Sequence, residues 1–407
     1  MNRPPLNLKS RRRGFTLIEL LVVVIIIATL IALLIPAIAG AVRAARNASV
    51  QAEINQLAQA LADFKSKYGD YPPSRVILNE NGGIQTGLIA VNSGAFDPTK
   101  STATDITLTQ LANRTQNAMR KFWPRAQFTL GSNIWGSSGP WYDFNGNGFR
   151  DFNQSFILQG HECLVFFLGG IPLVTNNGGS VQISVIGFGK DPVNPFTNGI
   201  VTNPSTSMYS ANRNNPFYQF DSSRLVVTNS SEYPTGYASA YGPTVNPGYL
   251  DSLATQGAQN FYAYFSTNNG SGYDPNDVNL QSTLDVDGSG VNLALQFCAP
   301  LTIPTQAAPQ RTFSPVPNPY TSTATVPTLN AVPPTNQSPT YINAQSFQII
   351  SAGNDGAYGT GGIYAATGTG NVPELSTGQN SVSNSTDGGI RVLERDNLTN
   401  FHNGKLE

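Results

Sequence analysis

A chain of 407 residues is long for one domain, yet only 12% of it is charged and its bulk is rich in Gly, Asn, Ser, Thr and Pro. That predicts one large loop-rich, β-containing domain, or two. A formal net charge of −1, with the one dense basic run at Arg11, Arg12 and Arg13, excludes nucleic acid as an electrostatic partner. Two histidines, His161 and His402, are too few for most His-based metal or catalytic sites.

From Phe15 to Ala39 the residues FTLIELLVVVIIIATLIALLIPAIA carry one charge, Glu19. About 20 apolar helical residues suffice to cross hydrocarbon, so this segment is predicted to span a membrane. Arg3, Lys9, Arg11, Arg12 and Arg13 precede it, which keeps the N-terminus cytoplasmic and sends everything after Gly40 to the periplasm or beyond. The apolar run is too long for an ordinary secretory signal and passes directly into a polar helix. There Val50, Ile54, Leu57, Leu61, Phe64 and Tyr68 recur at steps of four and three, one apolar stripe among Arg43, Arg46, Gln51, Glu53, Asn55 and Lys65. With no strong breaker before Gly69 and Pro72-Pro73, one helix of roughly fifty residues, on the order of 80 Å, is predicted from Phe15 to Tyr68. Pro36 falls inside it and is expected to kink or locally melt it.

Beyond Pro73, Val181–Ile186 and Phe261–Phe265 alternate in polarity as strands do. A second helix is expected near Phe156–Leu168, although so dense an apolar run also reads as a buried strand. Nine prolines between Pro304 and Pro339 suit an extended surface insertion and exclude central strands. Asp143, Asn145, Asn147, Phe149 and Asp151, with Gly148 at the sharp turn, have the spacing of half an EF-hand loop. Gln154 stands where the bidentate carboxylate belongs, so the loop is either a weak calcium site or a Gly/Asn turn. Asp285-Val286-Asp287-Gly288 is a shorter fragment of the same kind. Cys163 and Cys298 either pair in an oxidising compartment or stay as two buried thiols. No nucleophile-elbow pattern precedes His161 or His402, which speaks against a hydrolase.

Gly14-Phe15-Thr16-Leu17-Ile18-Glu19-Leu20 resembles the processing site of type IV pilins and type II secretion pseudopilins. The resemblance implies that prepilin peptidase removes the leader 1–14 after Gly14, that Phe15 becomes an N-methylated first residue, and that Glu19 and Pro36 are the family's fifth-position glutamate and helix-breaking proline. A carboxylate in hydrocarbon costs about 2.5–3.5 kcal/mol near the centre and needs a cation; the amine freed at Phe15 supplies one, in the family on a neighbouring subunit. His161–Gly170, Ser346–Gly356 and Asp396–Phe401 resemble large pseudopilin-like proteins of planctomycete-type bacteria. The last two also resemble the end of major pseudopilins, where a loop binds calcium, which implies Asp355 and Asp396 as ligands with Asp387 between them.

The expected fold is α+β and pilin-like. It comprises a membrane half of the helix (15–39), an amphipathic half (40–70) against an antiparallel β-sheet, and a periplasmic or extracellular domain (71–407) with large loops and the insertion 304–339. The expected role is structural rather than enzymatic: a subunit that meets prepilin peptidase, an inner-membrane assembly platform and copies of itself in a filament. A minor pilin displaying a binding domain, and a membrane-tethered glycan-binding or enzymatic module, are the other readings.

Overall fold

The computed structural model describes residues 16–80, 83–84, 108–130, 141–146, 155–158, 160–177, 180–197, 211–226, 246–253, 261–267, 270, 272–273, 319–320, 341–354, 356, 358, 364–367, 370–373 and 394–406. The chain divides into two compact units, residues 1–47 and 48–407. Helix α1, Leu17–Tyr68, provides the described part of the first unit and opens the second. It runs without interruption through Pro36, so the expected local melting does not occur. The proline deletes one donor, the one owed to the Ala32 carbonyl, and the hydrogen-bond ladder resumes on either side. At the other end the Gly69 amide donates to the Lys65 carbonyl at 2.7 Å and the helix stops ahead of Pro72-Pro73, where the breakers predicted.

In the second unit, Val50, Ile54, Leu57, Leu61 and Phe64 of α1 are wholly buried and Tyr68 packs at the edge, the stripe expected from their spacing. Strands β1 (Val76–Asn79) and β2 (Gly83–Ile84), helix α2 (Leu108–Phe122), and strands β3 (Thr129–Leu130) and β4 (Ser155–Leu158) follow. Next come helix α3 (Gly160–Gly169), the hairpin β5 (Pro172–Asn177) and β6 (Ser180–Val185), and the short strands β7 (Leu225–Val226) and β8 (Gly248–Tyr249). β9 (Ala263–Ser266), β10 (Phe347–Ser351), β11 (Tyr364–Thr367), β12 (Gly370–Pro373) and β13 (Leu398–Thr399) complete the described set. The pairs β1–β4, β5–β6, β7–β8 and β11–β12 are antiparallel, as is the three-stranded sheet β13–β10–β9; β2–β3 is parallel. A long apolar helix with small, mainly antiparallel sheets is the α+β, pilin-like architecture the sequence predicted.

Two departures have physical causes. The run expected as a helix over Phe156–Leu168 is a strand and then a helix: β4 ends at Leu158 and α3 begins at Gly160. Every residue of α3 is buried, so its apolar pattern has no polar face from which a period can be read. The insertion 304–339 is not all surface: of its two described residues, Tyr320 is fully buried. The Gln348 side-chain amide receives the Tyr320 N–H and donates to the Tyr320 carbonyl, both at 2.8 Å, as a strand neighbour would.

That pairing seals a sheet with two dry faces. Successive side chains of a strand point to opposite sides. Tyr264 of β9 and Phe347 and Ile349 of β10 enter the main core with α1 and α3, whereas Ala263, Phe265 and Ile350 enter a second core with Tyr320, Tyr341 and Leu406.

Candidate functional site

The first feature is the start of α1. Thr16 is its N-cap: the Glu19 amide donates to Thr16 Oγ1 at 3.3 Å, and Glu19 Oε2 accepts from the Thr16 amide and hydroxyl at 2.8 and 2.9 Å. This reciprocal capping box fits the pattern Thr-x-x-Glu and fixes the first turn. The expected processing residues Gly14 and Phe15 lie outside the described residues. From Leu17 to Val42 the apolar side chains face outward, with exposure from 83% at Leu17 to 44% at Val42. A surface that apolar on every side of a helix requires a non-aqueous setting or other helices. Among the described residues α1 is the one helix long and apolar enough to cross a membrane, and none of its most apolar window is buried.

A second feature was not read from the sequence. Glu53 sits on α1 among the polar residues flanking the stripe, yet it is the acceptor at the centre of a clamp. Arg224 donates to both its oxygens, Nη1 to Oε1 at 2.7 Å and Nη2 to Oε2 at 2.8 Å. The hydroxyls of Tyr218 and Tyr249 donate to Oε1 at 3.2 and 3.0 Å, and that of Tyr262 donates to Oε2 at 2.5 Å. The pair is largely enclosed, with side-chain exposure of 12% for Glu53 and 23% for Arg224. Arg224 is itself set by Nε and Nη2 donating to the Leu250 carbonyl and by lying 4.2 Å over the Tyr249 ring. Asp221 caps the 3-10 turn Ser222–Arg224 that carries it. Burial alone would raise the Glu53 carboxyl, but the hydrogen bonds from Arg224 and Tyr262 and the Arg224 charge outweigh it and hold Glu53 below the usual carboxylate range. Burial, reinforced by the Glu53 charge, pushes the Tyr249 phenol up to about 12 and that of Tyr262 well above its ordinary value.

The expected metal ligands divide. Asp143 and Asn145 are both fully buried, and Phe144 between them packs on Phe166 and Phe196 in the main core. Asn147, Phe149 and Asp151 of the same loop lie outside the described residues. At the C-terminal end Asp396 Oδ2 accepts the Asn354 amide at 2.6 Å. A Cβ on Gly353 would lie 2.2 Å from the Asp396 carbonyl oxygen, so the aspartate is pressed against the turn that leads into Asp355. Asp355 and Asp387 are outside the described residues. No group of three or more His, Cys, Asp or Glu that could hold a metal occurs among the described residues. Cys163 is buried in α3, its thiol 3.5 Å from the Leu158 carbonyl; Cys298 lies outside the described residues. His161 is buried with its ring 4.8 Å from that of Phe261, and burial lowers its pKa to about 4, which leaves it neutral and without access to solvent.

Residues 9–35 match the family described as the prokaryotic N-terminal methylation motif. No curated protein and no solved structure matches the chain. The matched family is one of structural, filament-type subunits rather than enzymes, and the match ends inside the apolar half of α1.

Proposed function

We propose that this type IV pilin-like protein is a filament subunit, processed by prepilin peptidase between Gly14 and Phe15, methylated at Phe15, and assembled from the inner membrane into a secretion pseudopilus or a pilus-like fibre. The observation that carries the proposal is the uncovered apolar surface of α1 from Leu17 to Val42, interrupted by the single carboxylate of Glu19, on a segment matching the methylation motif. In the membrane that surface faces lipid; in a filament it faces the same helix of other copies. The leader's arginines keep the N-terminus cytoplasmic, so residues beyond the helix lie in the periplasm or further out. Hydrolysis of the Gly14–Phe15 amide frees an ammonium one residue upstream of the Thr16 amide that Glu19 already accepts. Glu19 thereby gains a cationic partner close to its own capping box, and a neighbouring subunit's ammonium is the second candidate.

Intact mass spectrometry of the membrane-extracted protein is expected to show loss of residues 1–14 and gain of one methyl group. A chain that keeps its arginines, or is cut near Ala39, removes the proposal. Glu19→Ala is expected to be processed normally and to yield no filaments.

We also propose a structural calcium ion, bound by the C-terminal loop or by the loop from Asp143. The donor chemistry fits a hard cation, since each loop offers carboxylate or amide oxygens, and the turn at Gly353-Asn354 lies against Asp396. Its role would be to tie loops together rather than to catalyse. For a site with Kd near 10⁻⁴ M, saturation with about 1 mM calcium stabilises by about 1.4 kcal/mol. Thermal melts of the detergent-solubilised chain are therefore expected to fall by a few degrees with chelator. Asp396→Asn and Asp143→Asn tell the loops apart, and an unchanged melt at millimolar calcium counts against both.

A further inference from the structure

The apolar surface of α1 ends at two exposed guanidiniums, Arg43 and Arg46. They stand three residues apart, on one face of the helix, where like charges repel unless an anion lies between them. Nothing on the helix compensates them: from Leu20 to Ala52 the sequence has no acidic residue. The flanking Glu19 is closed into the capping box with Thr16 and Glu53 into the clamp with Arg224. The bond made by Arg43 is Nε to the Ala39 carbonyl at 3.3 Å, within its own turn, and the side chain is exposed. Gly40, Ala41, Ala44 and Ala45 surround the pair with small side chains, so a bulky polar group can approach the helix there. A second copy aligned alongside offers no carboxylate on the same stretch.

Distance supplies the ligand. From Thr16 to Arg43 the helix rises about 40 Å at 1.5 Å per residue. The hydrocarbon layer is about 30 Å thick, and about 40–45 Å with headgroups. With the capped end at one interface, Arg43 and Arg46 therefore lie among the phosphates of the opposite leaflet, and guanidinium matches phosphate oxygens in pairs.

We infer that Arg43 and Arg46 form a binding site for anionic phospholipid headgroups on the far side of the membrane from the leader. The site sets the depth at which the helix rests before assembly. This rests on the membrane-spanning reading above.

The test uses the full chain with Arg3, Lys9, Arg11, Arg12 and Arg13 replaced by Gln, so that no basic side chain of the leader binds lipid. After purification in detergent with phosphatidylglycerol or phosphatidylcholine, native mass spectrometry counts retained lipids, while flotation with vesicles reports insertion. Arg43→Gln with Arg46→Gln is expected to lower phosphatidylglycerol retention at least fivefold, on the order of the effect of one interfacial basic residue. Phosphatidylcholine retention should stay low in both chains and flotation unchanged. Arg43→Lys with Arg46→Lys should restore most of the loss. Equal phosphatidylglycerol retention in the Gln variant, with flotation intact, overturns the headgroup site and leaves the membrane reading standing. A parent chain that does not float with vesicles overturns both.

Discussion

Replacing Glu53 by alanine is expected to destabilise residues 48–407 by about 3 kcal/mol, which is more than any surface ion pair here should supply. The clamp has one carboxylate receiving two guanidinium and three phenol hydrogen bonds in a largely enclosed setting. Removing the acceptor leaves a partly buried cation, two buried hydroxyls and the half-buried one of Tyr218 without their shared partner. Arg224→Ala should cost less, because the phenols keep an acceptor. The double variant should cost about 2 kcal/mol less than the two single losses together, since each removes what the other was paired with. Asp70→Ala is the control. Its partner Lys121 is 48% exposed, so breaking their 2.7 Å contact should change stability by no more than about 0.5 kcal/mol. Chemical denaturation of the four variants decides the matter, and a Glu53→Ala loss no larger than that of Asp70→Ala would sink the clamp.

The same cluster predicts an asymmetric dependence on pH. The folded Glu53 carboxyl lies below its unfolded value, so its contribution is complete above a carboxylate pKa of about 4.3 and is lost as pH falls through the lower folded value. The phenols run the other way. Tyr249 is raised to about 12, so its contribution is complete below the unfolded value near 10 and disappears as pH rises from there towards 12. Unfolding midpoints should therefore hold steady between these limits and fall beyond each, with the acid limb flattened in Glu53→Ala.

How much of this was legible in the sequence depends on how local each signal is. The stripe Val50 to Phe64 and the alternation in β6 are local, and both appear where their periods placed them. Glu53 carried a local signal too. It stands three residues after Val50 and four before Leu57, in step with the buried face, so an acidic residue there called for a partner. The identity of that partner was hidden, because Arg224 lies 171 residues away and Tyr262 lies 209 away, each contributed by a different short segment. Helix α2 was overlooked although Met119 and Phe122 of α2 and the following Trp123 are buried against the core. Its signal was local, since Leu108, Leu111, Ala112, Ala118, Met119 and Phe122 fall on one helical face with Thr115 the single polar residue in the series. At the N-terminus the pattern Thr-x-x-Glu is the local signal of a capping box, and Thr16 and Glu19 make one.

The crossing of Gly170 and Gly187 should tolerate a side chain poorly at either residue. Gly170 ends α3, its amide donating to Phe166 at 2.8 Å, and Gly187 lies directly against it with its own amide donating to the Gly169 carbonyl at 2.8 Å. Both have positive φ, +92° and +73°, a region that costs an L-residue about 1–2 kcal/mol. Space is the harsher limit. A Cβ on Gly187 would lie 2.0 Å from the Asn214 carbonyl oxygen, and one on Gly170 would lie 2.3 Å from Gly187 Cα. Those neighbours are backbone atoms, so no rotamer change relieves the overlap, and the segment from Asn214, which packs Phe217 onto the end of α3 through its bond to the Leu168 carbonyl, must move. Gly187→Ala is therefore expected to cost at least about 3 kcal/mol, from the sum of conformational strain and overpacking. Gly270→Ala separates the two causes, because Gly270 has φ +72° with nothing within 4 Å of a Cβ and should show the conformational cost alone. Matching losses at 187 and 270 in urea titrations would mean that the backbones at the crossing can part at no cost, and the tight layering of α3 on β6 would have to be abandoned.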